Sequence, residues 1–171
     1  MRLFIAVCFP EEVKKSLRQC ADKLIAQGVR GNVTPSSNMH LTLAFLGEVK
    51  ARDMKKIHEA MDRVSFSPFT LTFEGSGRFR DLCWVGLKES PELRNCTDSL
   101  RQALKEQEIE FDPKPFKPHI TIIRKAQNLN GKEPLIPKLS FPVNRISLMR
   151  SERIEGKMKY TEIYAVQAGC A

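Results

Sequence analysis

Apolar residues along the N-terminal part of the chain follow first a strand pattern and then a helix pattern. A short apolar run predicts a buried strand over residues 2–9, and Pro10 then opens a helix that ends near residue 27. A polar loop leads into a second strand over residues 40–46, which Gly47 closes. The pattern therefore predicts a strand, a helix, a loop and a strand, in that order.

The same order of elements occurs again further along the chain. Residues 82–87 predict a buried strand, and Ser90-Pro91 supplies an N-cap and a first-turn proline for a helix ending near residue 107. A proline-containing extended segment then leads into a strand over residues 119–124. The two copies are offset by 79 positions, the spacing of His40 and His119. We interpret them as a repeat of pattern, without close sequence identity.

The remaining elements lie between and after the two copies. They are a helix over 52–64, a strand over 69–74 with a turn at Gly75-Ser76-Gly77, a loop over 125–138, and strands near 143–149 and 160–166. We also expect each copy to be followed by an equivalent strand, one after Ser67-Pro68 and one at Phe141-Pro142. The whole pattern predicts an α+β fold with one domain over residues 1–171. Two pseudo-symmetric lobes, each an antiparallel sheet flanked by helices, would enclose a central cleft.

Composition limits the class of protein and its partners. The chain has 171 residues, 42% of them hydrophobic and 28% charged, which is typical of one soluble domain. No apolar run reaches the ~20 residues that a membrane-spanning helix needs, and we interpret the N-terminus as a strand, not a signal peptide. The net charge of +8 favours a polyanionic partner. We expect a cytoplasmic monomer that does not bind membranes.

The cysteines do not suggest a disulfide framework or a zinc site. They are Cys8, Cys20, Cys83, Cys96 and Cys170. Their number is odd and no pair has C-x-x-C spacing, so free thiols in a reducing compartment are the expectation.

Two of the three histidines open the same four-residue pattern. The two copies are His40-Leu41-Thr42-Leu43 and His119-Ile120-Thr121-Ile122. Successive side chains of a strand point to opposite faces, so each histidine shares a face with its threonine while the aliphatic residues face a core. An approximate two-fold axis would bring the two His/Thr faces together across one cleft.

Two imidazoles and two hydroxyl groups around one cavity suit acid–base chemistry on an anion. One imidazole can take a proton from an attacking group while the other gives one to a leaving group, and the hydroxyls can bind phosphoryl oxygens. Such a phosphodiester site needs no covalent nucleophile. A metal site is the rival interpretation, but no Asp, Glu or Cys lies within three residues of His119, and after His40 none occurs before Glu48. The histidines could also serve only polar contacts within a sheet. His58 has no partner pattern, and we expect it on the flank of a helix.

These segments resemble a known family. His40–Gly47 and Pro118–Arg124 look like the two motifs of the 2H phosphoesterase superfamily, above all its RNA 2′,3′-cyclic phosphodiesterase branch, also called 2′-5′ RNA ligase. The opening strand, and Leu148-Met149-Arg150-Ser151 with Gly156 and Tyr160, resemble further family segments. The resemblance covers almost the whole chain.

The resemblance implies hydrolysis of a 2′,3′-cyclic phosphate to a 2′-phosphate end, without metal or cofactor. His40 would be the proton donor to the departing 3′-oxygen, and His119 would be the base that activates water. Thr42 and Thr121 would hold the non-bridging oxygens. Arg124 resembles a basic residue near the phosphate, although simple alternation along the strand puts it on the face opposite His119.

Aromatic residues near the motifs are candidates for contacts with bases. Phe9 and Phe45 could stack on a base of single-stranded RNA, or they could belong to the core. We expect Trp84 and Tyr160 in the core.

Related functions remain open at this point. The same histidines would serve ligation of a 5′-hydroxyl to a cyclic phosphate, or hydrolysis of a small cyclic nucleotide or of an ADP-ribose cyclic phosphate. An RNA-binding module without turnover is an alternative of another class, and the two intact motifs argue against it.

Overall fold

The computed structural model describes residues 1–169. Its strands are β1 Arg2–Cys8, β2 Arg30–Val33, β3 His40–Glu48, β4 Phe69–Phe79, β5 Leu82–Leu87, β6 His119–Gln127, β7 Ser140–Val143, β8 Arg145–Ile154 and β9 Lys157–Gln167. Its α-helices are α1 Glu11–Ala26, α2 Met54–Asp62 and α3 Pro91–Glu106. Short 3-10 helices lie at Ser36–Asn38 and Ala51–Asp53.

The strands form two antiparallel sheets, so the predicted α+β class is confirmed. The first sheet has the order β3-β1-β8-β9, and the second has the order β2-β6-β5-β4-β7. The motif strand lies next to the buried strand of its own copy in both sheets, since β3 pairs with β1 and β6 pairs with β5. The two motif strands therefore have equivalent neighbours within their copies, although β3 is the end strand of its sheet and β6 lies between β2 and β5.

Each copy also has a segment that is hydrogen-bonded to the motif strand of the other copy. Strand β2 belongs to the first copy but pairs with β6, and the Thr34 N–H beyond it donates to the Ile122 carbonyl at 2.9 Å. In the second copy, the Asp112 N–H donates to the Phe45 carbonyl of β3, also at 2.9 Å. These crossed segments run beside the two motif strands and connect the two sheets there.

Local sequence explains where the two long helices begin. In α1, Glu11 and Glu12 lie in the first turn and Lys23 in the last, each favourable to the helix dipole. In α3, the Ser90 hydroxyl accepts a hydrogen bond from the Leu93 N–H at 3.1 Å, which caps the helix.

The aliphatic residues of both motifs lie in the hydrophobic core. Leu41 and Ile120 are 1% exposed, and Leu43 and Ile122 are fully buried. This burial confirms the predicted face for the aliphatic positions and leaves the histidines and threonines on the other side of each strand.

The predicted turn at Gly75-Ser76-Gly77 is wrong, because β4 continues through it. Gly75 adopts a positive φ of 72° within an irregular stretch of the pairing with β5. The Trp84 ring occupies the space that a side chain at Gly77 would need, so the glycine serves packing. The chain reverses later, at Arg80 and Asp81, where Arg80 has a φ of 55°.

The predicted equivalence of the strands after Ser67-Pro68 and at Phe141-Pro142 is also wrong. These strands are β4 and β7, and they pair with each other within the second sheet. In the second sheet β5 has β4 as its other neighbour, and in the first sheet the equivalent strand β1 has β8. A proline before a strand marks where it starts, but the partner is set by tertiary packing. Strand β2 was not predicted, since its residues Arg30–Val33 are short and largely exposed.

Cys8, Cys20, Cys83 and Cys96 are free thiols, and Cys170 lies outside the described residues. Burial raises the pKa of the Cys96 thiol to about 11, which makes it unreactive at neutral pH. Within residues 1–169, no helix combines the length and the apolar character needed to cross a membrane.

Candidate active site

Both motif histidines are held by the same backbone contact. His40 Nδ1 lies 2.7 Å from the Asn38 carbonyl oxygen, and His119 Nδ1 lies 2.5 Å from the Lys117 carbonyl oxygen. A carbonyl only accepts, so each Nδ1 donates its proton and each Nε2 is left for chemistry. Asn38 and Lys117 are separated by the same 79 positions as His40 and His119. Two rings are thus fixed in matching tautomers on the two motif strands.

His40 is enclosed by aromatic side chains. Phe4 stacks on the imidazole with ring centres 4.6 Å apart, and Tyr160 meets it edge-on at 5.2 Å. Nε2 lies 2.9 Å from the Thr42 hydroxyl oxygen. The ring therefore has one fixed orientation, and its Nε2 shares the space where the Thr42 hydroxyl lies.

The surroundings of His40 keep it neutral. Burial lowers its pKa from 6.5 to about 4. The hydrogen bond to the Asn38 carbonyl opposes this shift, and the positive Arg124 guanidinium adds to it. In the free protein near neutral pH, His40 Nε2 is thus a lone-pair acceptor for the Thr42 hydroxyl.

His119 has a more open environment. Its side chain is exposed, with Trp84 edge-on at 5.9 Å between ring centres. Thr121, two residues further along β6, is half-buried. Of the two motif histidines, His40 is thus the enclosed one and His119 the open one.

A β-bulge in β6 brings Arg124 to the face of His119. Ile122 is an extra residue between the pairs that β6 forms with β5, and Ile122 and Ile123 are both fully buried. The alternation of faces therefore shifts by one residue, and Arg124 points outward again. Its charge acts on His40 of the other sheet. Simple alternation would put Arg124 opposite His119, and the bulge is the departure from alternation that returns it to the His119 face.

The first motif has the same bulge, and it brings Phe45 to the face of His40. Leu43 is the extra residue in the pairing with β1, and Leu43 and Ala44 are both buried. Phe45 is 38% exposed, and the Arg2 guanidinium carbon lies 5.3 Å from the centre of its ring. Phe45 and Arg124 are related by the offset between the motifs. Phe45 has a free surface on which a base could stack, and that role stays a prediction.

Phe9 is not available to a substrate. It is only 5% exposed and packs edge-to-face against Phe141 at 5.1 Å and Phe73 at 6.4 Å between ring centres. Of the two alternatives for Phe9, the core is confirmed and stacking on a base is contradicted, because strands far along the sequence bury the ring.

Three aromatic residues of the site were missed from the sequence. Trp84 and Tyr160 were expected in the core, and Phe4 was seen only as part of a buried strand. Only the cross-strand register shows that all three lie beside an imidazole. Asn38 adds a further support, since its side-chain amide donates to the Met158 carbonyl at 3.1 Å and ties the turn before β3 to β9.

The side chains that could bind a metal are dispersed. No cluster of three or more His, Cys, Asp or Glu side chains placed to hold a metal ion occurs among the 169 described residues.

Two antiparallel sheets, each with one His-x-Thr strand, are the feature by which the chain can be compared with known families. The model of the 2′-5′ RNA ligase superfamily matches residues 9–155, and the chain belongs to that superfamily. A curated relative from Thermotoga maritima, named RNA 2′,3′-cyclic phosphodiesterase, is 33% identical and aligns over 99% of this chain and 95% of its own. The relative of that name from Escherichia coli is 29% identical over 95% of this chain and 93% of its own. Within the superfamily, the chain is a member of this phosphodiesterase family of enzymes.

Solved structures agree with this assignment. Escherichia coli LigT complexed with 3′-AMP superposes with a TM-score of 0.83 at 29% identity, covering 98% of this chain and 96% of that one. A structure from Thermus thermophilus superposes with a TM-score of 0.80 at 30% identity, covering 98% and 97%. The family resemblance found in the sequence is confirmed.

Proposed function

We propose that this chain hydrolyses RNA 2′,3′-cyclic phosphate ends to 2′-phosphate ends by two-histidine acid–base catalysis, without a metal. The observation that supports the proposal most is the matched pair of imidazoles, each with Nδ1 held by the carbonyl two residues upstream. On this proposal residues 1–171 form one domain of two pseudo-symmetric lobes, acting as a cytoplasmic monomer in RNA processing.

The phosphate would lie between the two motif strands. Thr42 and Thr121 would donate hydrogen bonds to the non-bridging oxygens, and Arg124 would supply positive charge as the negative charge on them grows. These groups share one face of their strands because of the alternation and the bulge described above. The net charge of +8 would also draw a polyanionic substrate toward the protein.

The reaction needs one proton acceptor and one proton donor. On the assignment implied by the family, His119 Nε2 takes a proton from water as the water oxygen bonds to phosphorus. The bond from phosphorus to the 3′-oxygen breaks, and His40 Nε2 gives that oxygen a proton. The products are a 2′-phosphomonoester and a 3′-hydroxyl; His119 has gained the proton from water and His40 has lost one to the leaving oxygen, so the proton count balances.

The neutral state of His40 adds a condition to this assignment. A histidine with a pKa of about 4 carries no proton on Nε2 near neutral pH, so it must gain one when substrate binds. An adjacent phosphate anion favours the charged imidazolium and supplies the reason for such uptake. The opposite assignment, with His40 as the base, needs no uptake. The two assignments therefore differ in a measurable quantity, the protons taken up on binding.

Three solved complexes of one related protein support a second substrate class. Escherichia coli LigT has been crystallised with 3′-AMP, with NADP⁺ and with ATP. Because these ligands are single nucleotides or a dinucleotide, we also propose a small cyclic nucleotide as an alternative substrate for the same site. Ligation is the reverse use of the same groups, and a binding module would use the cleft without turnover.

Replacing the histidines one at a time tests the proposal. His40→Ala and His119→Ala should each lower turnover of a cyclic-phosphate RNA by roughly 10²–10⁴-fold. His58→Ala is the matched control, since this third histidine stacks on Tyr164 at 3.9 Å between ring centres and belongs to neither motif. Near-normal turnover by both motif variants would rule out the two-histidine mechanism.

A further inference from the structure

The face that carries His119 continues across the second sheet to an exposed phenylalanine. In the register of this sheet, Trp84 pairs with Thr121 on one side and with Gly77 on the other. Directly paired residues share a face, and so do alternate residues of one strand. Phe79, two residues after Gly77 and paired with Leu82, therefore lies on the same face as Thr121.

Phe79 differs from the other aromatic residues of this face in its exposure. It is 63% exposed at the end of the β4–β5 hairpin, where the core gives it no support. Single exposed apolar residues are common on proteins and need no explanation by themselves. Here, however, the Trp84 ring lies beside His119 and across Gly77, and Phe79 follows two residues after Gly77 on the same face.

Positive charge accompanies this surface. The Arg80 guanidinium carbon lies 6.0 Å from the centre of the Phe79 ring. Arg124 projects from β6 on the same face, and β6 is two strands away from β4. Neighbouring strands lie ~4.8 Å apart, so strands β6 and β4 are separated by roughly 10 Å. On this side of the sheet, Arg124, which would lie at the phosphate, is thus followed by the Phe79 ring and then by the Arg80 guanidinium.

We propose that Phe79 and Arg80 bind the nucleotide that precedes the terminal cyclic phosphate of a single-stranded RNA. The base of that nucleotide stacks on Phe79, and Arg80 pairs with the phosphate that links it to the terminal nucleotide. Aromatic rings interleaved with cations are the usual means of holding single-stranded nucleic acid without reading its sequence. The inference rests on the proposed function and makes an oligonucleotide the preferred substrate, because only an oligonucleotide has a nucleotide that precedes the terminal one.

The test compares two substrates that differ only in length. They are a trinucleotide ending in a 2′,3′-cyclic phosphate and the matching nucleoside 2′,3′-cyclic monophosphate. Phe79→Ala should lower kcat/KM for the trinucleotide by roughly tenfold, the effect of losing one stacked base, and leave kcat/KM for the mononucleotide unchanged. Phe79→Tyr keeps an aromatic face and should restore the trinucleotide value. Leu135→Ala is the matched control, since Leu135 is 62% exposed and lies against α1, outside both motifs.

The role of Arg80 is tested separately, through the salt dependence of binding. Arg80→Gln should make trinucleotide binding less dependent on salt, with the slope of log Kd against log salt smaller by about 0.7 for one lost phosphate contact on a single strand. The slope for the mononucleotide should not change. An unchanged slope for the trinucleotide would contradict the role of Arg80.

Binding measurements separate this inference from the proposed function. The affinities of the 2′-phosphate trinucleotide and of the nucleoside 2′-phosphate can be measured without any turnover. If the wild type hydrolyses neither substrate but Phe79→Ala weakens only trinucleotide binding, hydrolysis is wrong and the nucleotide subsite stands. If the wild type hydrolyses both and Phe79→Ala changes both alike or neither, the subsite is wrong and the proposed hydrolysis stands.

Discussion

Removing the His40 side chain should change how the stability of the protein depends on pH. Burial lowers the His40 pKa from 6.5 to about 4 in the folded state. Between these values the unfolded chain binds a proton that the folded protein does not, so acid favours unfolding. The titration of His40 therefore does not change the free energy of unfolding above pH 6.5. It lowers that free energy progressively as the pH falls from 6.5 to 4, and it makes no further change below pH 4. His40→Gln keeps a polar side chain but removes this titration.

The size of the effect follows from the shift. A change of one pKa unit corresponds to about 1.4 kcal/mol, so the shift to about 4 amounts to about 3 kcal/mol when complete. Between pH 7 and pH 4.5 most of it is expressed, about 2 kcal/mol. Because the ring is partly exposed, we regard that figure as the upper end of the expected range.

Urea denaturation at pH 7 and at pH 4.5 measures the effect. Acid also protonates carboxylates, but their contribution is common to wild type and variant and cancels in the comparison. The stability lost between the two pH values should be smaller in His40→Gln by up to about 2 kcal/mol. His58→Gln controls for removal of any histidine. If wild type and His40→Gln lose the same stability, His40 is not held neutral by its surroundings, and the reasoning about its environment is refuted.

Three further predictions concern the same site. Thr42→Ala or Thr121→Ala should each lower kcat/KM by about 10–100-fold, less than loss of a histidine, because each removes one hydrogen bond to a charged group; steady-state kinetics measures this, and losses as large as those of the histidine variants would contradict it. Calorimetry of substrate-analogue binding at pH 6 in buffers of different ionisation enthalpy should show proton uptake if His40 becomes the donor, whereas zero uptake would favour His40 as the base. Phe4→Leu removes the stacked ring and should raise the His40 pKa toward its ordinary value, which NMR titration of the imidazole protons follows; an unchanged titration would mean that other groups enclose the ring.

Local pattern was enough to predict the parts of the site that depend on one strand. The alternation His-aliphatic-Thr-aliphatic placed His40 and His119 away from the core, and the burial of Leu41 and Ile120 agrees. The Ser90-Pro91 pair marked the start of α3 correctly. Such features are set by neighbouring residues, which a sequence displays directly.

Features that depend on distant segments were not predictable in the same way. The faces of Phe45 and Arg124 depend on a bulge in each motif strand, and a strict two-residue period misses it. The consecutive apolar pairs Leu43-Ala44 and Ile122-Ile123 are the only local sign of these bulges. The sequence left Phe9 either at a base or in the core, because its burial depends on rings contributed by β4 and β7.

The central claim is metal-independent hydrolysis of an RNA cyclic phosphate between His40 and His119. The most direct measurement is product analysis of a short RNA ending in a 2′,3′-cyclic phosphate, incubated with the protein in EDTA and resolved into 2′- and 3′-phosphate products. We expect conversion to the 2′-phosphate, with loss of conversion in His40→Ala and His119→Ala. A 3′-phosphate product would contradict the assigned leaving oxygen, and conversion that stops in EDTA and returns with a divalent metal would contradict the metal-independent mechanism.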